Sequence, residues 1–302
     1  MNTLHELAQI LSRHSFASER MEPTAVPRLS IFRADHPTTR TPGIYQPLFC
    51  LIVSGRKQVF FGEKISEYGT GDCFLVTVNL PVVGTILQAL PGDPYLALCL
   101  DLHHTTLAEI AIRATVMPDL RQGNDQGFQA GTATTEVIDA AFRLAQLLDN
   151  TQHIDVLAPL YERELLYRLY VDLWGRSLHA VSQANSRLSQ IGRAIAWLHE
   201  HYATDYTAEA LARIAGMSVS TMNRHFREIT ALSPLEYQKR IRLQEARRLL
   251  ASQVTDVSGT GYAVGYSSPS QFNREYRRLF GESPGRHASQ VRSTKEQMQQ
   301  PA

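Results

Sequence analysis

Two stretches fifty residues apart carry the same mixture of hydroxyl, amide and guanidinium side chains: Ser218-Val219-Ser220-Thr221-Met222-Asn223-Arg224-His225-Phe226 and Ser268-Pro269-Ser270-Gln271-Phe272-Asn273-Arg274-Glu275-Tyr276. The chemistry these groups suit is recognition of double-stranded DNA. Asparagine matches the adenine edge in the major groove and arginine the guanine edge. Asn223 and Arg224 are therefore candidate base readers, and Ser220, Ser270 and Gln271 offer shorter or adaptable contacts. Arg227, Arg277 and Arg278 suit phosphates, as do the helix starts at Ser218 and Ser268, where unpaired N–H groups attract an anion.

A helix held by a second helix across a tight turn presents such groups to a groove. The residues around each stretch predict that arrangement. Ser218 and Ser268 are placed as N-caps, and Pro269 stands at the first helical position, where its missing N–H is harmless. Upstream, Thr207 starts a helix through Leu211 and Ala212 that ends at Gly216, and Gly265 recurs at the matching turn. Met222 with Phe226, and Phe272 with Tyr276, supply the buried faces. Between the units, Ser233-Pro234-Leu235-Glu236 forms a capping box that launches a helix to about Ala251. At about 1.5 Å per residue that helix spans roughly 27 Å, and its turns extend the span toward the roughly 34 Å between successive major grooves. The competing reading, a seven-helix packing domain with solvated arginines, explains neither the repeat nor the spacing.

Charge follows the same division. The whole chain carries +1, yet residues 185–302 hold 16 Arg and Lys against 10 Asp and Glu, while residues 1–184 hold 14 against 19. A polyanion is favoured by one half only. The chain of 302 residues has room for two cores. No apolar run reaches membrane-spanning length and no signal peptide is recognisable, so a cytoplasmic protein without membrane contact is expected.

The first half reads differently. Short β-favouring runs, Leu48–Val53, Gln58–Phe61, Cys73–Val76, Val82–Leu87 and Tyr95–Leu102, are separated by Gly and Pro turns and predict a sandwich or small barrel able to enclose a ligand. A short amphipathic helix precedes them around Leu4–Leu11, and helices over Thr135–Leu148 and Val156–Leu173 follow, as flank or dimer seam. Gly175–Ser186 reads as a linker. Cys50, Cys73 and Cys99 read as buried small hydrophobes. His103-His104 lacks companions at ligand spacing, and no nucleophile elbow, phosphate loop or paired carboxylates occur, so no metal, cofactor or catalytic residue is expected.

Residues 188–287 resemble the DNA-binding domain of the AraC/XylS family of transcription regulators. The resemblance runs through Ala208-Glu209-Ala210-Leu211-Ala212, Gly216-Met217-Ser218, Arg224-His225-Phe226, Ser233-Pro234-Leu235-Glu236-Tyr237, Ala246-Arg247-Arg248-Leu249-Leu250, Val264-Gly265-Tyr266 and Ser283-Pro284. It implies that Ser220, Asn223 and Arg224 in the first unit, and Pro269, Ser270, Gln271 and Arg274 in the second, lie on groove-facing helices. Pro47-Leu48, Ser54-Gly55, Gly71-Asp72 and the Leu80-Pro81-Val82 to Pro94-Tyr95 stretch resemble the cupin-like sensor domain of one AraC subgroup. The implied fold is a two-domain α+β chain: a cupin-like β-barrel with flanking helices over 1–180, a linker at 181–187, an all-α domain with two helix-turn-helix motifs over 188–288, and a disordered tail over 289–302. The implied function is an effector-responsive activator, a homodimer contacting RNA polymerase; the alternative is an architectural DNA binder whose barrel only assembles protomers. Two departures from the family stand out. Thr260-Gly261 replaces the usual Ile-Ala and should leave the second supporting helix marginal, and Ala231 stands where the second unit has Gly281, which questions a left-handed residue there.

Overall fold

A computed structural model describes residues 2–116, 126–171, 174–252 and 256–289. Helix α1 (Asn2–Arg13) turns Leu7, Ile10 and Leu11 inward, as the spacing of its apolar residues requires. Ten strands follow with one helix among them: β1 (Met21–Pro23), β2 (Leu29–Ala34), β3 (Thr41–Tyr45), β4 (Leu48–Ser54), β5 (Arg56–Phe61), β6 (Lys64–Gly69), β7 (Asp72–Val76), β8 (Leu80–Gln88), β9 (Tyr95–Asp101), α2 (His104–Arg113) and β10 (Phe128–Thr132). They form two antiparallel sheets, ordered β1-β2-β9-β4-β7-β10 and β3-β8-β5-β6, facing one another as an unclosed barrel. β4 and β9 are central and covered on both faces, so both are nearly continuous runs of buried apolar residues, whereas β5 alternates because one face meets water.

Helices α3 (Thr135–Gln146), α4 (Ile154–Val171) and α5 (Gly175–Ser182) complete the N-terminal half, a 3-10 turn at Thr151–His153 leading into α4. The linker expected over Gly175–Ser186 is thus mostly helix. Leu178 and Val181 are buried, and α5 packs on α2 and α4; small and polar residues concealed a buried stripe with only two large apolar members. Residues 183–186 alone connect α5 to α6 (Arg187–Glu200). The expected tail beyond Ser289, and Leu173, lie outside the described residues.

The C-terminal half continues with α7 (Ala208–Ala215), α8 (Val219–Thr230), α9 (Pro234–Ser252), α10 (Val257–Ala263) and α11 (Pro269–Phe280). Its two halves attach differently. One continuous core runs from the sheets through α6, α7 and α8 to Ile241, while Leu243, Ala246, Leu250, Val264, Tyr266, Phe272 and Tyr276 form a second. Polar contacts reinforce the junction with the first unit: Gly127 N–H donates to Ile229 O at 2.9 Å and Tyr237 Oη to Asn79 O at 2.6 Å.

Ala231 belongs to this junction. It adopts the left-handed conformation after all, with φ 59°, which corrects the doubt raised by its side chain. Its methyl lies against Gly62 in the β5–β6 turn, where an added Cβ would come within 2.6 Å of the Ala231 Cβ. Gly62, at φ 61°, is itself left-handed. Gly62→Ala is therefore expected to cost about 1–2 kcal/mol in the full chain, and the double variant Gly62→Ala/Ala231→Gly to recover part of it. Urea denaturation of the four-member cycle measures this, and strictly additive changes would exclude the contact.

Candidate nucleic-acid interface

The first unit is built as its residues dictate. Thr207 Oγ1 accepts from Ala210 N–H to start α7, Gly216 ends it at φ 67°, and Ser218 Oγ accepts from Thr221 N–H to start α8. Met222, Phe226 and Ile229 fill the buried face of α8, with the Phe226 ring meeting Tyr237 edge-on at 5.3 Å. The opposite face presents Ser220, Asn223, Arg224 and Arg227 to solvent. Asn223, Arg224 and Arg227 line one open cleft with Ser233 and Pro234 at the start of α9. That start is the expected capping box: the Glu236 carboxylate accepts from Ser233 N–H at 3.0 Å and from its hydroxyl at 2.6 Å. These two bonds hold the Glu236 carboxyl below the usual glutamate range.

The second unit repeats the plan with different internal chemistry. Asp256 caps α10, Gly265 makes the turn at φ 91°, and Ser268 caps α11 with Pro269 in its first turn. Phe272 and Tyr276 are buried, and Ser270, Arg274, Arg277 and Arg278 are exposed. Thr260, fully buried, returns its hydroxyl to Asp256 O at 2.7 Å, and the Phe272 ring approaches so closely that a Cβ on Gly261 would meet it at 3.0 Å. Gly261 thus admits a ring rather than merely loosening the helix. Still, α10 has seven residues, two of them glycine, and the second core excludes the sheets.

Two groups that composition did not single out organise this surface. Glu275 stands on α11 where α8 has His225, and its carboxylate gathers Lys239 Nζ at 2.9 Å, Tyr266 Oη at 2.9 Å and Gln271 Nε2 at 3.2 Å. Gln271, expected to be a free reader, is half-buried with its amide nitrogen committed to Glu275. Arg274 and Arg277, like Arg224 in the first unit, make no ion pair among the described residues, so their guanidinium groups are available to a ligand. Arg242, on α9, is the second organiser. It donates to Tyr202 O at 2.6 Å, Thr204 O at 3.2 Å and Gly265 O at 2.9 Å, joining the loop after α6 to the turn of the second unit. The only sign of either residue in the sequence is a polar side chain at a position that helical periodicity assigns to the interior.

Burial pushes the Glu275 carboxyl up, and its donors Lys239, Gln271 and Tyr266 more than reverse that, leaving it below the usual glutamate range. A carboxyl lowered on folding adds stability above its unfolded value near 4.5, and that contribution is lost as pH falls through the folded value. Glu275→Gln is therefore expected to lower stability at neutral pH and to flatten its decline below about pH 5. Urea midpoints across pH measure this; parallel pH curves for variant and wild type would contradict it.

His103 Nδ1 lies 2.8 Å from Thr106 Oγ1 in the first turn of α2, and the three cysteines are buried thiols outside any disulfide. Among the described residues no group of His, Cys, Asp and Glu is placed to hold a metal ion, and no helix is long and apolar enough to cross a membrane.

Comparison with known proteins agrees with this geometry. ToxT from Vibrio cholerae in an apo form superposes with a TM-score of 0.55 over 90% of this chain and 100% of that one, at 9% identity. ToxT bound to (E)-4-(8-methylnaphthalen-1-yl)but-3-enoic acid gives 0.56 over 87% and 98%, also at 9% identity. At that identity the likeness is one of fold. The transcriptional activator RhaS of Escherichia coli is 28% identical over 148 residues, 49% of this chain and 53% of RhaS. The chain thus spans about half the length of the curated relatives it matches. Residues 25–173 match the AraC-type transcriptional regulator N-terminus and residues 211–290 match a helix-turn-helix domain. With both halves matched in the order in which the sheets and the paired helix-turn-helix units occur, the chain belongs to the AraC family of transcription regulators.

Proposed function

We propose that this protein regulates transcription by binding a two-box DNA site through α8 and α11 and that its N-terminal sandwich receives a small-molecule effector. The observation that carries the DNA reading is the pair of capped helices, each with exposed arginines that form no ion pair among the described residues, joined by a single helix of 19 residues. That helix is about 28 Å long. Ser220, Asn223 and Arg224 are assigned to bases of one box, and Ser270 and Arg274, with Pro269 against the groove wall, to the other; Gln271, held by Glu275, has only its amide oxygen to offer that box. Ser218, Arg227, Ser268, Arg277 and Arg278 are assigned to phosphates. The effector reading is supported by the family and by ToxT, which has been crystallised with an unsaturated fatty acid. Activation is the direction suggested by RhaS. Val156 and Leu160, one turn apart on α4 and exposed, suit a homodimer seam in the cytoplasm, and contact with RNA polymerase completes an activator's requirements.

The test is selection from random duplexes by the full-length protein. Two boxes with centres about one helical turn, 10–10.5 base pairs, apart are expected in the enriched pool. Enrichment of bent or A/T-rich DNA without a defined sequence would favour the architectural alternative, and no enrichment would refute DNA reading.

A further inference from the structure

The last turn of the first reading helix is completed by the other half of the chain. A helix leaves its final carbonyls without donors of its own. In α8 the two amides that could turn back to Ile229 O are both committed elsewhere: Leu232 N–H donates to Thr230 Oγ1 at 3.2 Å, and Ser233 N–H to the Glu236 carboxylate at 3.0 Å. Ile229 O accepts instead from Gly127 N–H at 2.9 Å, from the residue just before β10. Gly127 is itself pinned on the sandwich side. Its carbonyl accepts from Thr77 N–H at 3.0 Å, and Phe128 beside it pairs with Val76 in the β10–β7 ladder. The Phe128 ring stacks on Phe74 at 5.3 Å and on Phe61 at 5.7 Å. Space is equally tight: a Cβ on Gly127 would stand 2.8 Å from Ile229 O and 3.1 Å from both Leu80 Cδ1 and Val78 Cγ2. Gly127 has no left-handed φ, so room rather than backbone conformation reserves the position for glycine. A second strut lies nearby. Tyr237 Oη donates to Asn79 O at 2.6 Å, and the Tyr237 ring meets Phe226, on the inner face of α8, edge-on. Helix α11 has no counterpart: it passes beside β3, but among the described residues no hydrogen bond joins it to the sandwich.

We infer that Gly127 and Tyr237 are positioning residues for base reading by α8, so that the sandwich sets the seat of the first reader and leaves the second reader free of it. Arg224 stands five residues before Ile229, about 7.5 Å along the helix axis, and a stiff helix carries a shift of its last turn to the guanidinium. A bidentate contact to a base edge tolerates little such movement. Discrimination in one box therefore depends on residues of the N-terminal half that touch no DNA, whereas discrimination in the other does not. The inference rests on the reading of α8 and α11 as separate box readers.

The experiment compares full-length wild type, Gly127→Ala and Tyr237→Phe on the duplex that wild type selects and on its single-base substitutions in each box. Amide hydrogen exchange of both reading helices is followed in the same proteins without DNA. The box whose discrimination Arg224→Ala blunts is the one read by α8. Gly127→Ala is expected to weaken binding about 3- to 10-fold, the net worth of one hydrogen bond, through lost discrimination in that box alone. The amides of α8 should exchange faster in this variant and those of α11 at the wild-type rate. Tyr237→Phe, which keeps the ring on Phe226, should act in the same direction and less. A merely structural glycine would lower the melting point and weaken both boxes alike, and that result would overturn the inference while leaving the two-box reading in place. Unchanged discrimination in both variants would do the same. Should Gly127→Ala fail to fold, Tyr237→Phe decides by the same measures. Selection of no defined duplex by wild type would refute DNA reading and the inference with it.

Discussion

Arg242→Ala is expected to destabilise the C-terminal domain by about 1–3 kcal/mol, the range for leaving buried acceptors unsatisfied. The guanidinium is nearly buried and satisfies carbonyls of Tyr202, Thr204 and Gly265, two of them also reached by Gln238 Nε2. Gly265 O keeps no substitute donor among these contacts. That turn cannot move aside, because a Cβ on Gly265 would already lie 2.2 Å from Ala203 O, a measure of how tightly the two backbones are stacked. Asp205 also contacts Arg242, at 3.1 Å, but its side chain is 98% exposed. Asp205→Asn should therefore change stability by less than about 1 kcal/mol. Urea unfolding of the full chain compares the two variants. An Arg242→Ala loss as small as that of Asp205→Asn would mean that the loop and the turn are held together by packing alone.

The second large effect concerns specificity. Arg224→Ala is expected to remove about 1–3 kcal/mol of discrimination between the selected site and a mismatch in its box, and Arg274→Ala to remove less. Arg224 stands on a helix whose inner face is continuous with the core of the sheets, whereas Arg274 stands on one whose core is separate and whose supporting helix is short and contains two glycines. A reader held less rigidly loses less when its contact is deleted, because the contact was less often made. Arg277→Ala should behave differently, weakening selected and random DNA alike and making the salt dependence shallower by about one phosphate contact. Affinities of each variant for the selected site and its single-base substitutions, at several salt concentrations, decide the matter. A specificity loss for Arg274→Ala equal to or above that for Arg224→Ala would refute the asymmetry.

Legibility in the sequence followed the range over which each cause acts. Caps at Thr207, Ser218 and Ser268, the capping box from Ser233 to Glu236 and the turns at Gly216 and Gly265 are decided within four or five residues, and all are found where expected. Strands β4, β5, β7, β8 and β9 were visible as apolar runs. β3 and β6 were not, because each is an edge or near-edge strand with few buried residues and derives its form from its neighbour. Long-range causes were hidden altogether. Nothing near Glu275 announces Lys239, thirty-six residues away, and nothing near Ala231 announces Gly62. Lys57 stands just before the apolar run at Gln58–Phe61, and the facing six-stranded sheet, through Phe32 and Phe74, makes its position interior.

The two-core interior has a consequence in time. Amide protons of α11 can exchange through opening of a small separate core, while those of α8 must wait for a larger one to breach. Protection factors should therefore rank the first reader above the second, even where both helices are equally long. On DNA such an inequality divides labour. On the proposed reading, the slowly opening helix would set how long the protein stays, and the quickly opening one would release and re-test the adjoining groove within a single residence. Recognition of the full site then becomes a sequence of trials made from one secure foothold.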